Sequence, residues 1–131
     1  LQRSEQYVHD IRTITLDLDD TLWAIQPVIE RAEQCLYDWL GDNLPRVVEM
    51  YRPADMLILR ELVIAEHAEN AHDLGFLRRT VLGRMGVAAG YGDGFVEDAF
   101  AVFDEARQTL ELFPEARAAL ESLHGRYTLI A

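Results

Sequence analysis

Apolar and polar positions follow a two-residue period along residues 11–18, IRTITLDL, with Ile11, Thr13 and Thr15 on one phase and Ile14, Leu16 and Leu18 on the other. Both phases are rich in apolar or β-branched side chains, so the segment predicts a buried strand. From Ile25 the period lengthens to that of a helix. Ile25, Val28, Ile29, Ala32, Leu36, Trp39 and Leu40 form one stripe, Glu30, Arg31, Glu33, Gln34 and Asp38 form the polar face, and Gly41 offers a stop. Pro53 suits the first turn of a second helix, where Met56, Leu57, Leu59, Leu62, Val63 and Ile64 exceed one stripe and predict burial on two sides. A third helix is expected over residues 72–85, followed by the glycine-rich loop GVAAGYGDG. Asp93 is expected to cap a fourth, carrying Phe95, Val96, Ala99, Phe100, Phe103 and Ala106. A short helix opened by Pro114 and stopped by Gly125 then leads into the β-type run RYTLIA.

The order strand, helices, strand changes the picture from a bundle to an α/β fold, because a helix before a second strand marks a parallel crossover. The helices after the first strand are too many for that crossover alone and read as an inserted helical lid. The expected division is residues 1–23 for the first strand and its loop, 24–110 for the helical insert, and 111–131 for the return to the α/β core.

Composition narrows the partners. The 131 residues are half hydrophobic and carry a formal net charge of −11, a field that repels phosphate backbones and argues against nucleic acid. No segment has the length of unbroken apolar sequence that spans a membrane, and the N-terminal LQRSEQYVHDIRTITL lacks the apolar segment of a signal peptide. A cytoplasmic location is the expectation. Cys35 is the single cysteine, which excludes an internal disulfide or a multi-cysteine metal site and suggests a small buried side chain. His9, His67, His72 and His124 show no metal-ligand spacing, and His72 beside Asp73 reads as a cap element. Arg78 and Arg79 read as a solvated face, with contact to an anionic substrate as the alternative.

Three aspartates, Asp17, Asp19 and Asp20, follow the first strand directly. Ligands of open α/β sheets bind beyond the carboxyl ends of the strands, which is where this cluster falls. In extended chain, residues i and i+2 share a side, so Asp17 and Asp19 face one cavity and Asp20 points elsewhere. Two carboxylates in one cavity repel. A hard divalent cation, Mg2+ above all, relieves the repulsion by neutralising one and leaving its partner to move protons.

The string DLDDT after an apolar strand, followed by a helical insert, resembles the haloacid dehalogenase superfamily of hydrolases, whose motif D-x-D-x-[TV] is matched by Asp17, Leu18, Asp19, Asp20 and Thr21. The resemblance implies a Rossmann-like parallel-sheet core with an inserted α-helical cap of type 1. It implies that Asp17 is the nucleophile and a ligand of Mg2+, and that Asp19 is the acid and base, with its backbone carbonyl on the metal. Thr21 would orient the aspartates, and Asp20 would be structural. An aspartate two residues after the nucleophile resembles the phosphatases and phosphomutases of the family, because dehalogenases have no leaving alcohol to protonate. The strings LDLDDTLW, PVIERAEQ, HDLGFLRRTVL and LFPEARAALESLHGRYTLIA resemble the branch that contains flavin mononucleotide phosphatase. Trp23, at the mouth of the site, is a candidate for stacking on a planar substrate or for packing against the linker into the cap.

The family also uses a serine or threonine at the end of the second core strand, a basic residue and a later acidic pair. The second strand here is YTLIA, Thr128 lies within it, and all twelve basic residues are arginine. The chain is therefore expected to hold only part of the α/β core and to be inactive alone, with the remaining core elements following Ala131 or supplied separately. The expected function is Mg2+-dependent hydrolysis of a small phosphorylated metabolite through an aspartyl phosphate, and the sequence is silent on oligomeric state. The alternatives are a phosphomutase, a dehalogenase-like hydrolase, or a non-catalytic binding module.

Overall fold

The computed structural model describes residues 11–131. The reading of the N-terminal segment through Asp10, His9 included, lies outside the described residues. The described chain divides into two units, residues 11–28 with 110–131, and residues 29–109.

In the first unit, β1 (Thr13–Thr15) pairs in parallel with β2 (Thr128–Ile130), in the register Thr13 to Thr128, Ile14 to Leu129 and Thr15 to Ile130. The Thr128 N–H donates to Arg12 O at 2.8 Å, and the Leu16 N–H to Ile130 O at 2.8 Å, so the ladder reaches the edge of the aspartate cluster. Between the strands in this unit lies α6 (Pro114–Leu123), with proline in its first turn, where the missing N–H has no helical partner to lose. It ends two residues before Gly125, whose φ of +92° suits a residue without a Cβ. The buried strand expected from the sequence is not what is found: Ile14 and Leu129 are half-buried and the flanking threonines exposed. Among the described residues the sheet has two strands, each with an exposed, half-buried, exposed pattern, so each keeps a solvent face.

The second unit is helical. Helix α1 (Ile25–Asn43), which begins in the first unit, buries Ala32, Leu36 and Leu40 along the expected stripe. It runs through Gly41 instead of stopping there. Leu40 and Leu44 are both buried, and the Leu44 N–H donates to Leu40 O at 2.7 Å, so burial of the next turn outweighs the glycine. A short helix unforeseen in the sequence, α2 (Pro45–Met50), buries Val47; at six residues it is too brief to show a period. In α3 (Pro53–Glu66), Asp55 Oδ2 accepts from the Arg52 backbone N–H at 2.9 Å. This helix corrects the expectation of two-sided burial: Val63 is buried, whereas Leu57 and Ile58 are 60% and 65% exposed.

Helix α4 (Leu74–Ala88) is capped by Asp73, which accepts from the Phe76 N–H at 2.9 Å, so Asp73 and not His72 is the cap. It extends three residues past the expected end and absorbs the start of the glycine-rich stretch. Leu77, Val81, Leu82 and Met85 sit at the centre of the core with Phe103 and Ala99 of α5 (Val96–Gln108). Asp93 does not cap α5 through its side chain; Phe95 holds the cap position, and Asp93 accepts from the Val96 N–H through its backbone oxygen.

Cys35 is half-buried and not fully buried as expected. Arg78 departs from a solvated face: its guanidinium lies 3.5 Å from the Phe103 ring centroid and 2.8 Å from Glu33 Oε1, with the side chain 18% exposed. Arg79 lies over Phe100 and pairs with Glu97 at 2.7 Å. Both arginines are thus engaged within the helical unit. No helix among the described residues is long and apolar enough to cross a membrane.

Candidate active site

The aspartate cluster occupies a tight reversal between β1 and α1. Leu18 O accepts from the Leu22 N–H at 2.8 Å and from the Thr21 N–H at 3.2 Å. Asp20, at the tip, has a φ of +58°. That left-handed conformation costs an ordinary side chain about 1–2 kcal/mol and is less foreign to aspartate, whose short carboxylate bonds locally. Here the offset is visible, because the Asp20 N–H donates to Trp23 O at 2.8 Å and Asp20 Oδ1 accepts from the Ile25 N–H, the first of α1, at 3.0 Å. Asp20 is therefore structural, holding the turn and the helix entry together. The Phe113 N–H donates to Leu22 O at 2.9 Å and ties the turn to the segment ahead of α6.

The reversal folds the polar side chains back on one another in pairs. Thr21 Oγ1 donates to Asp17 Oδ2 at 2.9 Å, and Trp23 Nε1 donates to Asp19 Oδ1 at 3.1 Å. Each aspartate singled out for chemistry thus receives one donor from the residue four positions later. Thr21 lies where an orienting group for Asp17 is needed. Trp23, considered from the sequence for its ring face, is engaged through its N–H; the only signal for that was its spacing from Asp19, which becomes meaningful once the chain reverses.

Both carboxylates are solvent-exposed, and each has one oxygen without a hydrogen bond to another described residue. The available donors, carboxylate and carbonyl oxygens, fit a hard cation in kind. Among the described residues no group of three or more His, Cys, Asp or Glu side chains is placed to hold a metal ion. Asp17 and Asp19 therefore offer part of a coordination shell. Chemically, the arrangement presents an accessible carboxylate oxygen on Asp17 for attack and a second on Asp19 for proton transfer.

The chain is similar to the crystal structure of 2-haloacid dehalogenase from Pseudomonas syringae pv. Tomato DC3000, at 33% identity and a TM-score of 0.78. The likeness covers 91% of this chain and 53% of that one, so the chain spans about half the length of the structure it matches. No protein-family description matches the chain, and no curated protein does. The likeness supports the haloacid dehalogenase superfamily, and the chain has part of that superfamily's Rossmann-like α/β fold together with a helical cap.

Proposed function

We propose that the protein to which this chain belongs is a hydrolase whose nucleophile is the Asp17 carboxylate and whose substrate is a small phosphomonoester. The observation that carries the phosphate reading is Asp19, a second carboxylate two residues on, held by the Trp23 N–H with its other oxygen accessible. Expelling an alkoxide requires a proton donor, and the accessible oxygen of Asp19 supports that role. In the first step an Asp17 oxygen attacks phosphorus, the ester P–O bond breaks, and the leaving oxygen takes the Asp19 proton. In the second, water attacks phosphorus, its proton returns to Asp19, and the bond to Asp17 breaks to release inorganic phosphate. Thr21, bound to Asp17 Oδ2, directs the opposite oxygen to the attack.

The Asp17 carboxylate and the Asp19 backbone carbonyl are the groups that would hold Mg2+. When bound, the ion would screen the carboxylates from an approaching phosphate dianion. Membership of the flavin mononucleotide phosphatase-like branch belongs to the same reading and rests on the sequence strings alone.

Dehalogenation is the second reading, favoured by the likeness to a 2-haloacid dehalogenase. Attack by Asp17 on carbon would then expel halide, which needs no proton, and Asp19 would have no part in the first step. The intact natural polypeptide, assayed on a panel of phosphomonoesters and 2-haloacids with Mg2+ or EDTA, separates the two. Phosphate release that needs Mg2+ and disappears in Asp17→Asn is expected. Halide release without phosphate release would replace this reading with the second.

A further inference from the structure

We infer that Trp23 is a positioning residue that fixes which oxygen of Asp19 carries the transferable proton, an inference that rests on the phosphomonoester reading above. A carboxylic acid has two oxygens, and either can bear the proton. The Trp23 indole N–H donates to Asp19 Oδ1 at 3.1 Å. A donor already pointing at Oδ1 takes up electron density there and makes it the poorer base of the two, so the proton is favoured on Oδ2, which has no hydrogen bond to another described residue. Indole is suited to this task, since its nitrogen donates and never accepts.

The placement is built into the backbone and not left to a loose side chain. Trp23 O accepts from the Asp20 N–H at 2.8 Å, and its neighbour Leu22 is held on both sides, by Leu18 O at 2.8 Å and by the Phe113 N–H at 2.9 Å. The ring is half-buried. The turn that puts Thr21 on Asp17 thus puts Trp23 on Asp19, one donor for each reacting carboxylate, both four residues downstream. Only the second of these donors is withdrawn without touching Asp17, which makes its contribution separable.

A proton donor matters in proportion to how badly the leaving group needs a proton. In the intact polypeptide, Trp23→Phe keeps an aromatic ring, smaller than indole, and removes the N–H. The expected result is a fall in kcat/KM of about tenfold for an alkyl phosphate and of less than about twofold for p-nitrophenyl phosphate, whose phenolate leaves unaided. A second measurement places the effect on Asp19: in an Asp19→Asn background, Trp23→Phe is expected to cause no further loss on p-nitrophenyl phosphate. In the NMR spectrum the Trp23 indole N–H resonance should move in Asp19→Ala while that of Trp39 stays. Equal losses on both esters, or a further loss in the Asp19→Asn background, would overturn the inference and leave the phosphatase reading standing. A rise in KM for planar substrates alone would overturn it in favour of ring stacking. If the parent hydrolyses neither ester, both readings fall together.

Discussion

Gly86 and Gly83 lie three residues apart on α4, and replacing each by alanine is expected to move stability in opposite directions. In a helix interior the glycine-to-alanine change is worth about 1 kcal/mol in favour of alanine. At Gly83 the new Cβ would meet only Asp93 Cβ and Val96 Cγ2, each at 3.8 Å, which is ordinary contact. Gly83→Ala should therefore stabilise by about 0.5–1 kcal/mol. At Gly86 the new Cβ would fall far inside van der Waals contact of Phe95 Cε1 and of the Gly92 carbonyl oxygen, and 2.7 Å from Phe95 Cζ. A turn of the ring relieves the first and last of these. The carbonyl cannot follow, because Gly92 has a φ of +73° and the same loop is tied by the Tyr91 N–H to Gly86 O at 2.8 Å and by Arg46 over the Tyr91 ring at 4.0 Å. Overpacking of this kind costs about 1–3 kcal/mol. Backbone rigidity puts Gly86→Ala at the upper end, and after the propensity gain a net loss of about 2 kcal/mol remains. That loss lowers the melting temperature by roughly 4–16 °C, the smaller shift belonging to the longer polypeptide. Thermal and urea melts of both variants in the intact polypeptide, followed by circular dichroism at 222 nm, test it. A Gly86→Ala variant as stable as the parent, or a Gly83→Ala variant that falls with it, would refute the packing argument.

Thr21→Val removes the hydroxyl from Asp17 Oδ2 without changing size and should lower phosphate release about 10- to 100-fold with the melt unmoved. Burial draws the Arg78 guanidinium pKa down while Glu33 opposes it, so the arginine depends on its partner. Breaking a buried pair costs about 3–5 kcal/mol, and with Glu33 44% exposed a loss of about 1–2 kcal/mol is expected for Arg78→Ala, measured by urea unfolding. A double-mutant cycle with Glu33→Gln should then show coupling between the two. Hydrogen bonds from Arg84 to Glu66, from Arg107 to Asp104 and from the Arg52 backbone to Asp55 hold these carboxyls below their ordinary pKa values. Their stabilising contribution is complete above the ordinary carboxylate range and is lost as pH falls through the depressed values, so urea midpoints should decline on acidification below about pH 4. In Glu66→Gln combined with Asp104→Asn that decline should be shallower.

What the sequence disclosed followed the length over which a signal repeats. The stripe of α1 persists over five turns, and its buried members were readable one by one. Helix α2 has fewer than two turns, and nothing periodic announced it. The exposed face of α3 shows a different limit. Leu57, Ile58 and Leu62 are as apolar as their buried neighbours, and hydrophobicity alone does not say which apolar side chains find a partner. Capping was legible as chemistry but not as position: Asp73 bonds the first turn of α4, while the equally suitable Asp93 stands two residues ahead of the cap position of α5 and spends its backbone oxygen instead.

The aspartate cluster shows why a motif can be recognised before it is understood. The residue types at positions 17, 19 and 21 match the motif without any geometry. The pairing of Thr21 with Asp17 and Trp23 with Asp19 does not follow from them, because in extended chain residues four apart are separated by about 13 Å. Contact at hydrogen-bond distance requires the chain to reverse, and the reversal turns on the left-handed backbone of Asp20. Strain of that order is held by what surrounds it, here one hydrogen bond from its N–H and one to its carboxylate. Asp20, whose carboxylate is taken up by the entry of α1, is therefore the residue on which the alignment of the other two depends. Its side chain also receives the first N–H of α1, so the same carboxylate that sets the turn starts the helix leading into the cap.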